Sequence, residues 1–165
     1  MTVPILSAPR FYVQPVGCGK PAWNFQEMTN IALEVEAHEL IYCDTDGAIN
    51  HTKQYGKTKP PSVTLKKPMD TDRSLWAWHA SVQLGNQSAR LDCTLSVFPA
   101  GSPGLPTTGA PMFQWTLWKA WPSKLDVSGM KAGNTEAGTL TITFACDLIE
   151  TMGANGSPSG SPFSV

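Results

Sequence analysis

Thr139-Leu-Thr-Ile-Thr-Phe-Ala-Cys-Asp-Leu148 decides the fold class. Leu140, Ile142, Phe144, Cys146 and Leu148 alternate there with Thr139, Thr141, Thr143 and Asp147. Successive side chains on a strand point to opposite faces, so a repeat of two with apolar and polar residues in turn marks a strand buried on one side only. The same pattern runs from Ala89 to Val97, where Leu91, Cys93, Leu95 and Val97 alternate with Arg90, Asp92, Thr94 and Ser96.

Working outward, Ile31, Leu33, Val35 and Ala37 oppose Glu34, Glu36 and His38, and the apolar phase then moves to Leu40 and Tyr42. That shift predicts one long strand with a bulge near His38 to Glu39. Phe11 to Val16 and Val63 to Lys67 read as shorter strands, and Met112 to Trp121 as a longer one rich in sheet-favouring aromatics. About six strands follow. One segment has a helical repeat: Leu75, Trp78, His79 and Val82 recur at i, i+3, i+4 and i+7 between Asp70 and Leu84, with Asp70, Thr71 or Asp72 as caps and Gly85 as a stop. Turn-rich stretches at Val16 to Pro21, Asp44 to Pro61 and Pro99 to Pro111 read as loops. The expected architecture is mainly β: a small barrel or sandwich of about six or more antiparallel strands, with one flanking α-helix at about 70–84. Residues 1–152 form the single domain, and 153–165 a flexible Ser/Gly/Pro-rich tail.

Composition agrees. A chain of 165 residues suffices for one domain with its own core, and 14 glycines, 14 prolines and only 15% charged residues favour strands and turns. A net charge of -1 gives no overall field toward nucleic acid or an anionic membrane. Cys18, Cys43, Cys93 and Cys146 contain no close pair and read as reduced, mostly buried small hydrophobes. The first residues, MTVPILSAPRFYV, lack a basic region followed by a long apolar run, and no segment approaches the roughly 20 apolar residues of a membrane span. Cytoplasmic synthesis and assembly without membrane insertion are expected.

No chemistry can be assembled from the spacing. His38, His51 and His79 are far from one another and from any cysteine pair, so no metal site is expected. Gly17-Cys-Gly19-Lys20 lacks the spacing of a phosphate-binding loop, and there is no Gly-x-Ser-x-Gly elbow. No cofactor and no enzymatic activity are expected. Six tryptophans are many for this length. Trp115 and Trp121 share one strand face and Trp118 lies on the other, so a large aromatic must be covered by the helix, a neighbour or a ligand. The acidic run Glu27, Glu34, Glu36, Glu39, Asp44, Asp46 precedes the basic run Lys53, Lys57, Lys59, Lys66, Lys67. Cross-strand pairing within one hairpin accounts for this; complementary charge between subunits is the sharper reading. A carbohydrate-binding β-sandwich is the alternative function, and a nucleic-acid groove along Lys53 to Lys67 is weakened by having only Tyr55 to stack a base.

Residues 56–85, GKTKPPSVTLKKPMDTDRSLWAWHASVQLG, resemble the central signature of the phage tail-tube family: a polar loop, a short strand ending in Lys66 and Lys67, then an acid-capped helix with Leu75-Trp-x-Trp78. Leu117-Trp-Lys-Ala-Trp-Pro-Ser-Lys124, Gly133-Asn-Thr-Glu136 and the last alternating strand are similar to the same family, as is Phe25 through Glu36. The resemblance spans roughly residues 10–150. It implies a structural subunit of the inner tube of a contractile phage tail or injection apparatus, with a fold shared with type VI secretion tube proteins. Rings of six copies stack into a hollow tube inside a sheath. The implied partners are other copies of the chain, the contractile sheath, baseplate and tape-measure or spike proteins, with DNA or protein cargo in the lumen. Residues 44–61 are then an arm reaching a neighbour, and the interface residues are Asp46, His51, Lys53, Tyr55, Lys57, Lys59 and Trp118. Glu34 and Glu36 are expected to face the lumen, where like charge keeps cargo from sticking.

Overall fold

The computed structural model describes residues 9–16, 22–99, 111–133 and 137–152. Cys18, Asn134 to Glu136, the interior of the Pro99 to Pro111 loop and the tail from Gly153 lie outside the described residues.

Among the described residues, ten strands and one α-helix are present in the order β1 (Arg10–Pro15), β2 (Trp23–Phe25), β3 (Glu27–Ala32), β4 (Val35–Cys43), β5 (Ile49–Thr58), β6 (Ser62–Pro68), α1 (Ser74–Gln83), β7 (Leu91–Phe98), β8 (Phe113–Ser128), β9 (Thr139–Ala145) and β10 (Leu148–Met152). All pairings are antiparallel. One layer runs β2-β1-β7-β8-β10 and the other β8-β9-β6-β3, so the long strand β8 belongs to both. The result is a sandwich and not a closed barrel. Its seam at β2 and β6 is held by the Gln26 N–H donating to the Lys66 carbonyl at 2.9 Å.

A bulge carries β8 from one layer to the other. Leu117 pairs with Cys93 and Ala120 with Leu91, so Trp118 and Lys119 together oppose Asp92. Lys119 has φ 53°, a left-handed conformation that costs a non-glycine residue about 1–2 kcal/mol. The Asp92 carboxylate accepts from its backbone N–H at 2.9 Å and lies 3.7 Å from its ammonium. The extra residue inverts the strand's phase. Trp115 packs against the core while Trp121 aligns with Ala145 on the outward side and Pro122 turns inward, so Trp115 and Trp121 do not share a face.

The core forms where the sequence alternation places it. Val13, Val63, Leu65, Leu95, Leu117, Leu140, Ile142 and Phe144 are buried between the layers. Helix α1 closes the flank with Leu75 and Trp78. Trp78 stacks on Trp23 at 5.4 Å and meets Phe144 at 5.7 Å, while its indole N–H donates to the Ala89 carbonyl at 2.6 Å. Trp76, two residues away, is on the outer side. The helix is shorter than the expected 70–84, and Gly85, with φ 78°, ends it. At its entrance Asp72 accepts from both the backbone N–H and the hydroxyl of Ser74, at 2.9 Å each.

Those bonds, backbone first and hydroxyl second, hold the Asp72 carboxyl below its usual range. A depressed folded pKa contributes stability above the unfolded value and loses it as pH falls through the folded one. The stability gap between the native chain and Asp72→Ala should therefore be full near neutrality and close below about pH 4. Denaturant midpoints measured across that range check this; a gap independent of pH would contradict it.

Four expectations are corrected. The strand over 31–42 is two strands in different sheets: Leu33 and Glu34 fall between them, β3 pairs with β6 and β4 with β5. The irregularity lies at Val35 to Ala37 and not at His38 to Glu39. The strand over 139–148 ends at Ala145, because the Asp147 N–H donates to the Trp118 carbonyl and the chain crosses to the other layer. Leu148 is consequently exposed and Ile149 buried. The segment read as a polar loop, 44–61, contains the ten-residue strand β5. Among the cysteines, Cys93 and Cys146 are buried but Cys43 is exposed. Burial pushes the Cys146 thiol up to about 11, so it stays a thiol.

Candidate assembly interface

Strands β4 and β5 pair only with each other and stand apart from the sandwich. At the root, the Lys59 N–H donates to the Glu34 carbonyl at 3.0 Å. The Lys59 ammonium bonds the Glu34 carboxylate at 2.7 Å and lies 3.9 Å from Glu36. At the tip, Asp44-Thr-Asp-Gly47 makes the turn. Gly47, at φ 77°, supplies the left-handed conformation, and the Asp44 carboxylate accepts from the Thr45 N–H at 2.7 Å.

Registration sorts the arm into two faces. Cys43 opposite Ile49, Ile41 opposite His51, Glu39 opposite Lys53 and Ala37 opposite Tyr55 form one; Tyr42 opposite Asn50, Leu40 opposite Thr52 and His38 opposite Gln54 form the other. No side chain of the arm is buried. Ile41, Ile49 and Tyr55, the last 97% exposed, stand on the first face, and Leu40 and Tyr42 on the second. A two-stranded hairpin is marginal alone in water, and this one offers apolar side chains on both faces and two open edges. Full burial of a large apolar side chain is worth about 1.5–3 kcal/mol, so covering several of them stabilises an assembled state strongly.

Near the root, β5 carries an irregularity opposite Glu36, and Gly56 sits there. A Cβ at Gly56 would lie 2.7 Å from the Glu36 carbonyl oxygen and 2.7 Å from Nε2 of His38, whose ring covers it. Gly56→Val should bend the arm without disturbing the core: an unfolding midpoint within about 0.5 kcal/mol of native, with assembly into higher oligomers cut severely. Normal assembly by sedimentation would refute this.

The expected interface residues fall into three places. His51, Lys53 and Tyr55 alternate along one face of β5, with Lys57 beyond the irregularity and Asp46 at the tip; the fold brings these together on the arm. Lys59 is at the root and already holds Glu34. Trp118 lies elsewhere, beside Leu148 on the outer face of the first layer, its indole N–H donating to Glu150 at 2.9 Å. Glu34 and Glu36 sit at the arm's root beside Lys59. Sequence reasoning missed Leu40, Ile41, Tyr42, Cys43 and Ile49 as an exposed apolar set; the signal was a strand-favouring segment without a consistent polar face. Much of the acid-then-base run is paired within the chain: Glu27 with Lys66 at 3.1 Å, Glu39 with His51 at 3.2 Å, Glu34 with Lys59 at 2.7 Å. Lys53 and Lys57 have no carboxylate at ion-pair distance among the described residues. No described helix is long and apolar enough to cross a membrane.

The family model of T4-like virus tail tube protein gp19 matches residues 7–150. The chain belongs to this family. Its members are structural tail tube proteins and not enzymes. Solved structures with a similar fold come from contractile injection systems. The anti-feeding prophage tube-terminating cap is 22% identical, with 92% of this chain and 93% of that chain covered and a TM-score of 0.66. The sheath-tube complex of an extracellular contractile injection system in its extended state is 22% identical, covers 90% and 91%, and has a TM-score of 0.65. A chain of the anti-feeding prophage baseplate is 13% identical, covers 93% and 99%, and has a TM-score of 0.64. No curated protein matches the sequence. As a tail tube family member, the chain is a component of a phage tail or injection particle, and its exposed arm belongs to a protein made to meet other chains.

Proposed function

We propose that this tail tube protein forms six-membered rings that stack into the rigid inner tube of a contractile phage tail or injection apparatus. The arm is the observation that carries the proposal: 9 and 10 residues of paired strand with no buried side chain, apolar on both faces and open at both edges. Such a surface is stable only when covered, and identical neighbours in a closed ring cover it in every copy at once. Lys53, Tyr55, Lys57 and Asp46 meet the neighbouring subunit there, and Trp118 contributes a second contact away from the arm. Many distributed contacts of this kind suit a rod that is driven forward as one body.

In this reading Glu34 and Glu36 face the lumen, through which DNA or a protein effector passes. Residues 1–152 form the tube wall and 153–165 a tail free of it. The sheath surrounds the tube, with the baseplate and a tape-measure or spike protein at its ends; two of the similar solved structures are described as a sheath-tube complex and a baseplate. Assembly takes place in the cytoplasm.

Negative-stain electron microscopy of the purified protein and of lysate from cells producing it tests the proposal. End-on rings with six-fold symmetry and tubes of uniform diameter are expected. A monodisperse monomer, with no tubular particle in the lysate, would overturn it.

A further inference from the structure

Helix α1 is apolar on two sides. Leu75 and Trp78 face the core, whereas Trp76, Ala80 and Leu84 recur at i, i+4 and i+8 on the outer side, with Ala77 beside Trp76. Leu84 is 88% exposed, and Trp76, Ala77 and Ala80 are exposed as well. A helix that is apolar all round belongs in a fully covered position. The single chain covers one side of it.

The uncovered side is also hollow. A groove of about 640 Å³ runs along it, lined by Met69, Asp72, Arg73, Trp76, Ala77 and Ala80 among others. The two alanines carry only methyl groups, so space is left beside the larger Trp76 and Met69. Each oxygen of the Asp72 carboxylate accepts one bond from Ser74, which keeps the group ionised and leaves it further acceptor sites. It has no cation at ion-pair distance among the described residues. The groove is thus apolar with an uncompensated carboxylate in its lining.

The arm carries the complementary set. Tyr55 is 97% exposed, so its own chain leaves the ring uncovered. Lys53, two residues before it on the same face of β5, and Lys57, two residues after it, both lack a carboxylate at ion-pair distance among the described residues. Every copy holds one such arm and one such groove, so a head-to-tail contact between copies covers both in each subunit of an assembly. Resting on the tube reading above, we infer that Tyr55 of one copy seats in the α1 groove of a neighbouring copy, against Trp76, with its flanking lysines on the Asp72 carboxylate. Arg73, also without an ion pair among the described residues, then has Glu39 to meet, since Glu39 is registered opposite Lys53 on the arm.

The test couples assembled tubes, built from a mixture of unlabelled and isotope-labelled chains, with a carbodiimide. The reagent activates a carboxyl, a lysine amine within reach displaces it as the urea, and an amide forms. Mass spectrometry should find Lys53 or Lys57 joined to Asp72 in peptides that carry one label of each kind. In parallel, Tyr55→Ala and Trp76→Ala should each lower the assembled fraction about tenfold, as truncating an anchor side chain does. Combined, they should lower it little further, because both remove the same contact. Ala80→Arg fills the groove with a helix-compatible side chain and should act like Trp76→Ala. All three positions are exposed in the single chain, so the monomers should melt as the native one does. Tubes that form normally with Trp76→Ala and Ala80→Arg, including tubes that then fail to take a sheath, would overturn the socket and leave the tube reading intact. A combined loss of about a hundredfold, with no intermolecular link to Asp72, would do the same. A native chain that forms neither rings nor tubes would take down both.

Discussion

Replacing residues 36–57 with Gly-Ser-Gly leaves a folded monomer that forms no tubes. The ends of the removed segment already meet, since the Lys59 N–H donates to the Glu34 carbonyl at 3.0 Å, so a short linker closes the gap with little entropy cost. Nothing in the buried cluster comes from the arm: its members lie on β1, β2, β6, α1, the 3-10 turn at Gln87–Ala89, β7, β8, β9, β10 and at Cys146. The melting temperature of the trimmed chain should therefore stay within about 4 °C of the native monomer's, a shift corresponding to under 1 kcal/mol or so for a domain of this size. The assembled fraction should fall at least a hundredfold, because the exposed apolar residues of both faces leave together. Thermal melts followed by circular dichroism, with electron microscopy of the same samples, separate the two effects. Tubes built from the trimmed chain would show that the arm is dispensable.

Trp78→Ala should have the largest effect on stability. The ring is 2% exposed and sits between Trp23 and Phe144, and its N–H holds the Ala89 carbonyl where the chain leaves the helix region for β7. Removing a buried tryptophan costs about 3–5 kcal/mol in lost burial and residual cavity. The stranded Ala89 carbonyl adds about 1 kcal/mol or more. Trp78→Phe keeps part of the packing and should lose roughly half as much. Guanidinium unfolding of the monomer measures both, and a Trp78→Ala midpoint within 1 kcal/mol of native would mean that the helix contributes little to the core.

What could be read from the sequence depended on whether a strand has one wet and one dry face. β6, β9 and the first half of β7 do, and Val63, Leu65, Cys93, Leu95, Leu140, Ile142 and Phe144 are buried as their spacing requires. Helix α1 was legible for the same reason, with Leu75 and Trp78 inward and Trp76 outward. β5 was not, because both its faces are exposed in the single chain and its residues carry no alternation to find. Lys67 was legible in principle: it stands two residues beyond Leu65 on the inward phase, a position where a lysine requires a partner.

Composition and alternation by themselves determined a β-rich chain with a helix and most of its core residues; the residue pattern of 56–85 and 117–148 pointed to the family. Only the tertiary structure decided which strands pair. Alternation is a property of one strand against water, and it continues unchanged when the chain leaves one sheet at Leu33–Glu34 and enters another, or crosses layers at Cys146–Asp147. The left-handed Lys119 that inverts the phase of β8 and the separation of the arm from the sandwich are likewise long-range outcomes. They follow from packing between segments distant in the chain, which no local repeat encodes.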